Sequence, residues 1–136
     1  IDHLLPQSGD MRQIDRVVWV NDAASEAIGV KLVREDEFWV PGHIPGRPLL
    51  PGVVMIEAAA QLSCVLYKHR IGFDSDGFIG FTRVDNGVFR GSVVPGDTLV
   101  LLAREKRFQR RRFSCFAQGM VDDSIVFEVE CTGMRI

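Results

Sequence analysis

Two residues, His43 and Glu57, have side chains suited to proton transfer, and they lie 14 positions apart. His43 lies in a segment rich in proline and glycine, and a histidine can take up and release a proton near neutral pH. Glu57 lies in an apolar, alanine-rich run. An unpaired charge there is so costly that the carboxyl must be paired, protonated or beside a wet cavity. Each of these conditions is typical of an active site.

The residues around Glu57 add to this chemistry if the run is a helix that begins near Gly52. Gln61 then lies on the same face as Glu57, four positions on. The first N–H groups, at Gly52 and Val53, have no partner within a helix and can hold a developing oxyanion. Glu57 would lie only about 7–8 Å along the axis from the helix start. A base, an acid and an oxyanion site predict proton abstraction next to a carbonyl with loss of a leaving group.

Structural explanations compete with each of these interpretations. A lone histidine in a loop is more often a structural hydrogen-bonding group, and a buried Glu with Gln at helical spacing can tie down a neighbouring loop. Gly52 could be only a helix cap, and His3 and His69 are predicted to be solvated. Taken singly, none of these residues identifies an active site.

The elements that would position these residues follow from the hydrophobic pattern. Positions 41–52 contain four prolines and three glycines, which exclude regular helix or a central strand. The next run lacks proline, has basic residues in its last turn and meets Gly72 as a C-cap. Because it is apolar nearly all round, this helix is predicted to be buried.

Seven other segments are rich in β-branched and aromatic residues, with turn signals at Asn21-Asp22, Pro95-Gly96-Asp97 and Asp122-Asp123. About six or seven strands and one long helix, joined mainly by short turns, predict an α+β fold in which an antiparallel sheet wraps around the helix. The predicted strands are Ile14–Val20, Ala27–Val33, Phe78–Val84, Gly87–Gly91, Thr98–Phe108, Arg112–Val121 and Ile125–Met134.

Length and composition limit the possible classes of protein. With 136 residues, 46% of them hydrophobic, the chain is expected to form a single domain over residues 1–136. A net charge of -2 argues against a general nucleic-acid binder. The sequence has neither an apolar stretch of about 18 residues nor the layout of a secretory signal, so we expect a cytoplasmic protein outside the membrane. Three widely spaced cysteines suit neither a disulfide framework nor a zinc site, and Cys64 is expected to be a buried thiol.

The segment GHIPGRPLLPGVVMIEAAAQ, residues 42–61, resembles the central motif of the bacterial beta-hydroxyacyl-acyl-carrier-protein dehydratases of the FabZ type. The family pattern of His and Pro, then Pro-Gly, then Glu-Ala-x-Ala-Gln is kept. LLP at 4–6, DRV at 15–17 and VVPGD at 93–97 are similar to other family landmarks. The related FabA type, which also isomerises the double bond, has Asp at the helical acidic position, so Glu57 favours simple dehydration.

The resemblance implies a hotdog fold and the conversion of a (3R)-3-hydroxyacyl group on acyl carrier protein into a trans-2-enoyl group. His43 would remove the α-proton, and Glu57 would protonate the departing hydroxyl. The N–H groups of Gly52 and Val53 would hold the thioester carbonyl, and Gln61 would orient Glu57 or the leaving water. It also implies no metal or other cofactor and a homodimer, possibly assembled into a hexamer. Each site would take His43 from one chain and Glu57 from the other.

Two departures from the family pattern concern the surroundings of the site. Gln7-Ser8 stands where the family has His-Arg, which puts the amino-terminal loop in question. Ile44 replaces a Phe after the histidine and could change the tunnel wall and the preferred chain length.

Two rival functions are weighed beside dehydration. A hotdog acyl-thioester hydrolase would have no α-proton for His43 to remove. A non-catalytic acyl-binding module is disfavoured because both His43 and Glu57 are retained.

A basic cluster is predicted on two strands joined near Gln109. Since carrier proteins are acidic, it could be a docking patch, and a solvated hairpin tip is the equally weighted alternative. Its members are Arg104, Lys106, Arg107, Arg110, Arg111 and Arg112.

Overall fold

One long helix and a six-stranded antiparallel sheet form the protein, in a computed structural model that describes residues 4–72 and 78–136. The sheet order is β1-β2-β4-β5-β6-β3, so β1 and β3 are its edges. A short 3-10 helix at Gly9–Met11 precedes the sheet. The helix α1 is Gly52–Ile71, and the strands are β1 Arg16–Val20, β2 Glu26–Leu32, β3 Ile79–Phe89, β4 Thr98–Phe108, β5 Arg112–Val121 and β6 Ser124–Arg135.

The helix α1 lies in the core, as its nearly uniform apolar surface predicts. Twelve of its 20 residues are buried. It packs against side chains from the central strands, among them Leu99, Ala117 and Val129, each at most 1% exposed. Pro51 precedes its first residue, and Gly72 ends it with a φ of 98° that favours glycine. The predicted α+β architecture, a sheet around one buried helix, is confirmed.

The boundary predicted between two strands near residue 85 is wrong. Phe78–Val84 and Gly87–Gly91 were expected as separate strands, but β3 is continuous and pairs with β6 throughout. The pairing register shifts between Asp85 and Val88, and Asn86 has a φ of 53°. A bulge therefore absorbs the residues that resemble a turn, without ending the strand.

The three cysteines are buried, as expected for Cys64. Burial raises the pKa of Cys64 to about 11, of Cys115 to about 12 and of Cys131 to about 11. These thiols are therefore protonated and unreactive near neutral pH. Within residues 4–72 and 78–136, no helix is long and apolar enough to cross a membrane.

Candidate active site

The loop that carries His43 is held by hydrogen bonds within itself. The backbone N–H of His43 donates to the Trp39 carbonyl at 2.8 Å, and its ring nitrogen Nδ1 lies 2.7 Å from the Leu49 carbonyl oxygen. A carbonyl oxygen can only accept, so Nδ1 carries the proton in this pair. In neutral His43 the other nitrogen, Nε2, is thus left with its lone pair, as a general base requires.

The residue after His43 has an unusual backbone conformation. Ile44 has a φ of 56°, which is rare for a β-branched residue and costs about 1–3 kcal/mol. A hydrogen bond of 2.9 Å from the Arg47 N–H to the Ile44 carbonyl helps to hold this turn. The side chain of Ile44 is 47% exposed within one chain. The loop thus stabilises a strained turn beside the candidate base.

The carboxyl of Glu57 is oriented by Gln61, four residues along the same helix face. Nε2 of Gln61 donates to Oε1 of Glu57 at 2.9 Å and to the Met11 carbonyl at 2.7 Å. Oε1 of Gln61 accepts from the Gln13 N–H at 2.8 Å. These three bonds determine which way the amide points, and Gln61 is 1% exposed. Because Oε1 of Glu57 accepts an N–H, Oε2 is the oxygen available to carry a proton.

The start of α1 presents backbone N–H groups without helical partners. The N–H groups of Val54 and Met55 both donate to the Pro51 carbonyl, which leaves those of Gly52 and Val53 unpaired within the helix. A Cβ on Gly52 would lie 2.7 Å from the ring of Phe89. A side chain at position 52 would therefore require the ring of Phe89 to move. Sequence reasoning missed this contact because Phe89 lies on β3, distant along the chain.

The structure brings four of the five predicted site residues onto one helix. Gly52, Val53, Glu57 and Gln61 lie in the first three turns of α1, and the loop of His43 leads directly into it. In the described part of one chain, no hydrogen bond joins His43 to Glu57. The same ranges contain no group of three or more His, Cys, Asp or Glu side chains that could hold a metal ion.

A buried ion pair beneath the loop was not predicted. Nζ of Lys31 lies 2.7 Å from Oε1 of Glu37, and both residues are buried. Burial alone would raise the pKa of Glu37, but hydrogen bonds from Lys31, the Arg34 N–H and Trp39 outweigh it and hold the pKa below its ordinary value. A lysine in a strand usually faces solvent, so nothing in the local pattern marked it as part of the core.

Two other residues named from the sequence, Gln7 and His69, lie outside the catalytic geometry. Gln7, at the first departure from the family pattern, has a buried Oε1 that accepts no hydrogen bond from any residue of the described ranges. His69 is exposed in the last turn of α1. His3 lies outside the described residues.

The basic cluster lies on the hairpin formed by β4 and β5. Its tip is anchored to α1 by a hydrogen bond from the Tyr67 hydroxyl to the Arg110 carbonyl. Beside it lies a groove of about 410 Å³. Two carboxylates of the groove are already paired, Asp85 with Arg83 and Glu130 with Lys106. The cationic side chains that line the groove are Arg83, Lys106, Arg107 and Arg112.

Most of the chain is similar in sequence or structure to known proteins. Residues 5–130 match the family model of the FabA-like domain. The chain is 37% identical to the 3-hydroxyacyl-acyl-carrier-protein dehydratase FabZ of Bartonella quintana, covering 98% of this chain and 85% of that one. It is 36% identical to the FabZ dehydratase of Xanthomonas campestris pv. campestris, covering 99% and 90%. Among solved structures, the dehydratase heterocomplex ApeI:P of Xenorhabdus doucetiae matches with a TM-score of 0.83 at 16% identity, covering 99% and 90%. The structural likeness supports the hotdog fold.

Proposed function

We propose that this chain, which belongs to the FabA-like family, is a hydro-lyase that converts (3R)-3-hydroxyacyl groups on acyl carrier protein into trans-2-enoyl groups. Relatives named as FabZ dehydratases, 35–38% identical over most of the chain, support this activity. The observation that carries the assignment of the base is the bond between Nδ1 of His43 and the Leu49 carbonyl. It leaves Nε2 free to take a proton.

The first half of the reaction is proton removal. Nε2 of His43 takes the α-proton, and the electron pair of that C–H bond moves toward the thioester carbonyl. The N–H groups of Gly52 and Val53 stabilise the resulting oxyanion, aided by the positive end of a helix of 20 residues. The open helix start therefore supplies the charge stabilisation that this step needs.

The second half is loss of water. The electron pair forms the double bond between C2 and C3, the C3–O bond breaks, and Oε2 of Glu57 gives its proton to the departing hydroxyl. The bond from Gln61 to Oε1 keeps the acidic oxygen directed away from the amide. His43 is then an imidazolium and Glu57 a carboxylate, so transfer of the proton from the first to the second restores the enzyme.

A homodimer with shared sites is part of this proposal. The strand β3 is an edge strand, and apolar side chains near it and at the helix start are exposed: Val84 by 51%, Val88 by 40%, Phe89 by 50% and Val53 by 74%. A second copy placed against this edge would cover them and pair the free backbone groups. It would also bring a second α1 near the loop of His43, which has no hydrogen bond to its own Glu57.

A mixing experiment tests the shared site. Inactive His43→Ala and Glu57→Ala chains are dissociated together and allowed to reassort at equal concentrations. About half the dimers are then mixed, and each mixed dimer has one intact site if the sites are shared. We expect recovery of roughly a quarter of the wild-type activity by the same symmetry. No recovery, with mixed dimers demonstrated by mass spectrometry, contradicts the shared site.

The activity itself is tested with carrier-bound 3-hydroxyacyl chains of increasing length. Dehydration produces the enoyl thioester without free thiol, whereas a thioester hydrolase releases thiol. An acyl-binding module would bind the substrate and produce neither. The same series shows which acyl-chain length the protein prefers with Ile44 in place of the family's Phe.

A further inference from the structure

A network of buried polar side chains connects α1 with the loop of His43, and its centre is the Lys31–Glu37 ion pair. The two side chains are 5% and 6% exposed, and Nζ of Lys31 lies 2.7 Å from Oε1 of Glu37. Desolvation makes such a pair weak evidence for stability, since well-packed apolar residues often do as well. Its partners on either side therefore indicate what the pair does.

Toward the helix, the pair reaches Glu57 through two glutamines. Nζ of Lys31 also donates to Oε1 of Gln13 at 2.8 Å. The backbone N–H of Gln13 donates in turn to Oε1 of Gln61, and Gln61 donates to Glu57. Gln13 and Gln61 are 3% and 1% exposed, so water does not replace these bonds. Lys31 thus constrains the amide that orients the candidate acid.

Toward the loop, the pair reaches His43 through Trp39. Oε1 of Glu37 accepts from Nε1 of Trp39 at 3.2 Å, and Oε2 accepts from the Arg34 N–H at 2.8 Å. Trp39 is 4% exposed, and its carbonyl receives the His43 N–H. Glu37 therefore anchors the segment from Arg34 to Trp39, and the carbonyl of Trp39 accepts the N–H of the candidate base.

We propose that Lys31 and Glu37 are positioning residues for dehydration, which hold the acid Glu57 and the base His43 of each chain through one buried polar network. The proposal rests on the proposed function for the roles of His43 and Glu57. In this role, neither Lys31 nor Glu37 contacts the substrate. A displacement of about 1 Å at a reacting group can lower a rate by about 100-fold, so loss of the network should lower kcat more than it changes KM.

The test compares two double variants of the full chain. Lys31→Met/Glu37→Met removes the buried pair without leaving a lone charge. Arg34→Met/Asp36→Met removes an exposed pair from the same turn, with the side chains 59% and 79% exposed. Each variant is assayed with a small 3-hydroxyacyl cysteamine thioester, which does not depend on carrier docking. We expect kcat to fall by about 10- to 100-fold in the first variant, and by less than twofold in the second.

A spectroscopic readout separates positioning from stability. The chain has three histidines, so the ¹⁵N ring signals of His43 are assigned by their loss in His43→Ala. We expect wild type and the Arg34/Asp36 control to show the tautomer with the proton on Nδ1. The Lys31/Glu37 variant should show a mixture of tautomers. If that folded variant keeps the wild-type kcat or the single tautomer, the proposal is overturned.

Glu37→Gln is the second variant if the double variant does not fold. It keeps an oxygen for Lys31 and Trp39 but places N–H donors against the Arg34 N–H. We expect Glu37→Gln to show a smaller fall in kcat and a partial loss of the single His43 tautomer. If both kcat and the tautomer are unchanged, the proposal is overturned. If the wild type catalyses no dehydration, the proposed function fails, while the tautomer comparison still decides whether the pair positions His43.

Discussion

The region around the start of α1 and the hairpin of β4 and β5 both carry many polar groups, but they arrange them differently. Near the helix, Gln61, Lys31 and Glu37 are buried, and each has directional partners at 2.7–2.9 Å. On the hairpin, Arg110 and Arg111 are exposed at the tip, where solvent screens their charges. Buried partners fix the geometry of a few atoms, whereas exposed charges attract a partner from a distance. The buried arrangement suits catalysis, and the exposed arrangement suits the first association with a charged partner.

The largest effects are expected at His43 and Glu57, the two residues proposed to exchange protons with the substrate. His43→Ala and Glu57→Gln should each lower kcat/KM by about 100- to 10,000-fold, because each removes an acid or a base. The melting temperature should stay unchanged, or rise for Glu57→Gln if the half-buried carboxyl is strained. Steady-state assays and thermal melting check this. Near-normal turnover in either variant would remove that residue from the mechanism.

Replacing a lysine by methionine should destabilise the protein more in the buried network than on the hairpin. Lys31→Met leaves Glu37 buried and unpaired and should lower the free energy of unfolding by about 3–5 kcal/mol. Lys106→Met breaks a pair with Glu130 that is 50% and 21% exposed and should cost about 0–1 kcal/mol. Urea denaturation of both variants measures the difference. Equal losses would show that the buried pair is not structurally special.

The hairpin should affect binding of the carrier without changing the chemistry. Arg110→Glu/Arg111→Glu should raise KM for carrier-bound substrate by about tenfold, because carrier proteins are acidic and like charges repel. KM for a small cysteamine thioester should not change. Arg16→Glu/Arg34→Glu, with the same change of net charge elsewhere on the surface, is the control. Equal effects of the hairpin variant on both substrates would contradict docking at this patch.

The smallest effect is an acid-dependent loss of stability from Glu37. Its pKa lies below the ordinary value of 4.5 in the folded chain, so the unfolded chain binds the proton more readily. The stability from this carboxylate is therefore present above about pH 4.5 and is lost as the pH falls through the lower folded pKa. Melting curves from neutral to acid pH should show a steeper decline for wild type than for Glu37→Gln. Parallel curves would mean that Glu37 does not contribute.

The sequence by itself predicted the buried helix from Gly52, the antiparallel sheet around it and the residue types of the site. These features depend on periodicity, on proline and glycine, and on a motif whose spacing is local. It also placed Glu57 and Gln61 on one helix face, because four residues make about one turn. It predicted two strands where β3 is one, because the bulge at Asn86 contains the same residue types as a turn.

Only the tertiary structure decided which side chains and carbonyls meet outside the regular helix and strand pattern. Phe89 covers Gly52, the Leu49 carbonyl selects the tautomer of His43, and Lys31 reaches Glu37 and Gln13 inside the core. The contacts of Gly52 with Phe89 and of Lys31 with Gln13 depend on how separate segments pack. Those of His43 with Leu49 and of Lys31 with Glu37 span six residues each and depend on irregular loop geometry, which hydrophobic periodicity does not encode. A buried lysine in particular is so costly without its partners that only the full arrangement of partners makes its position stable.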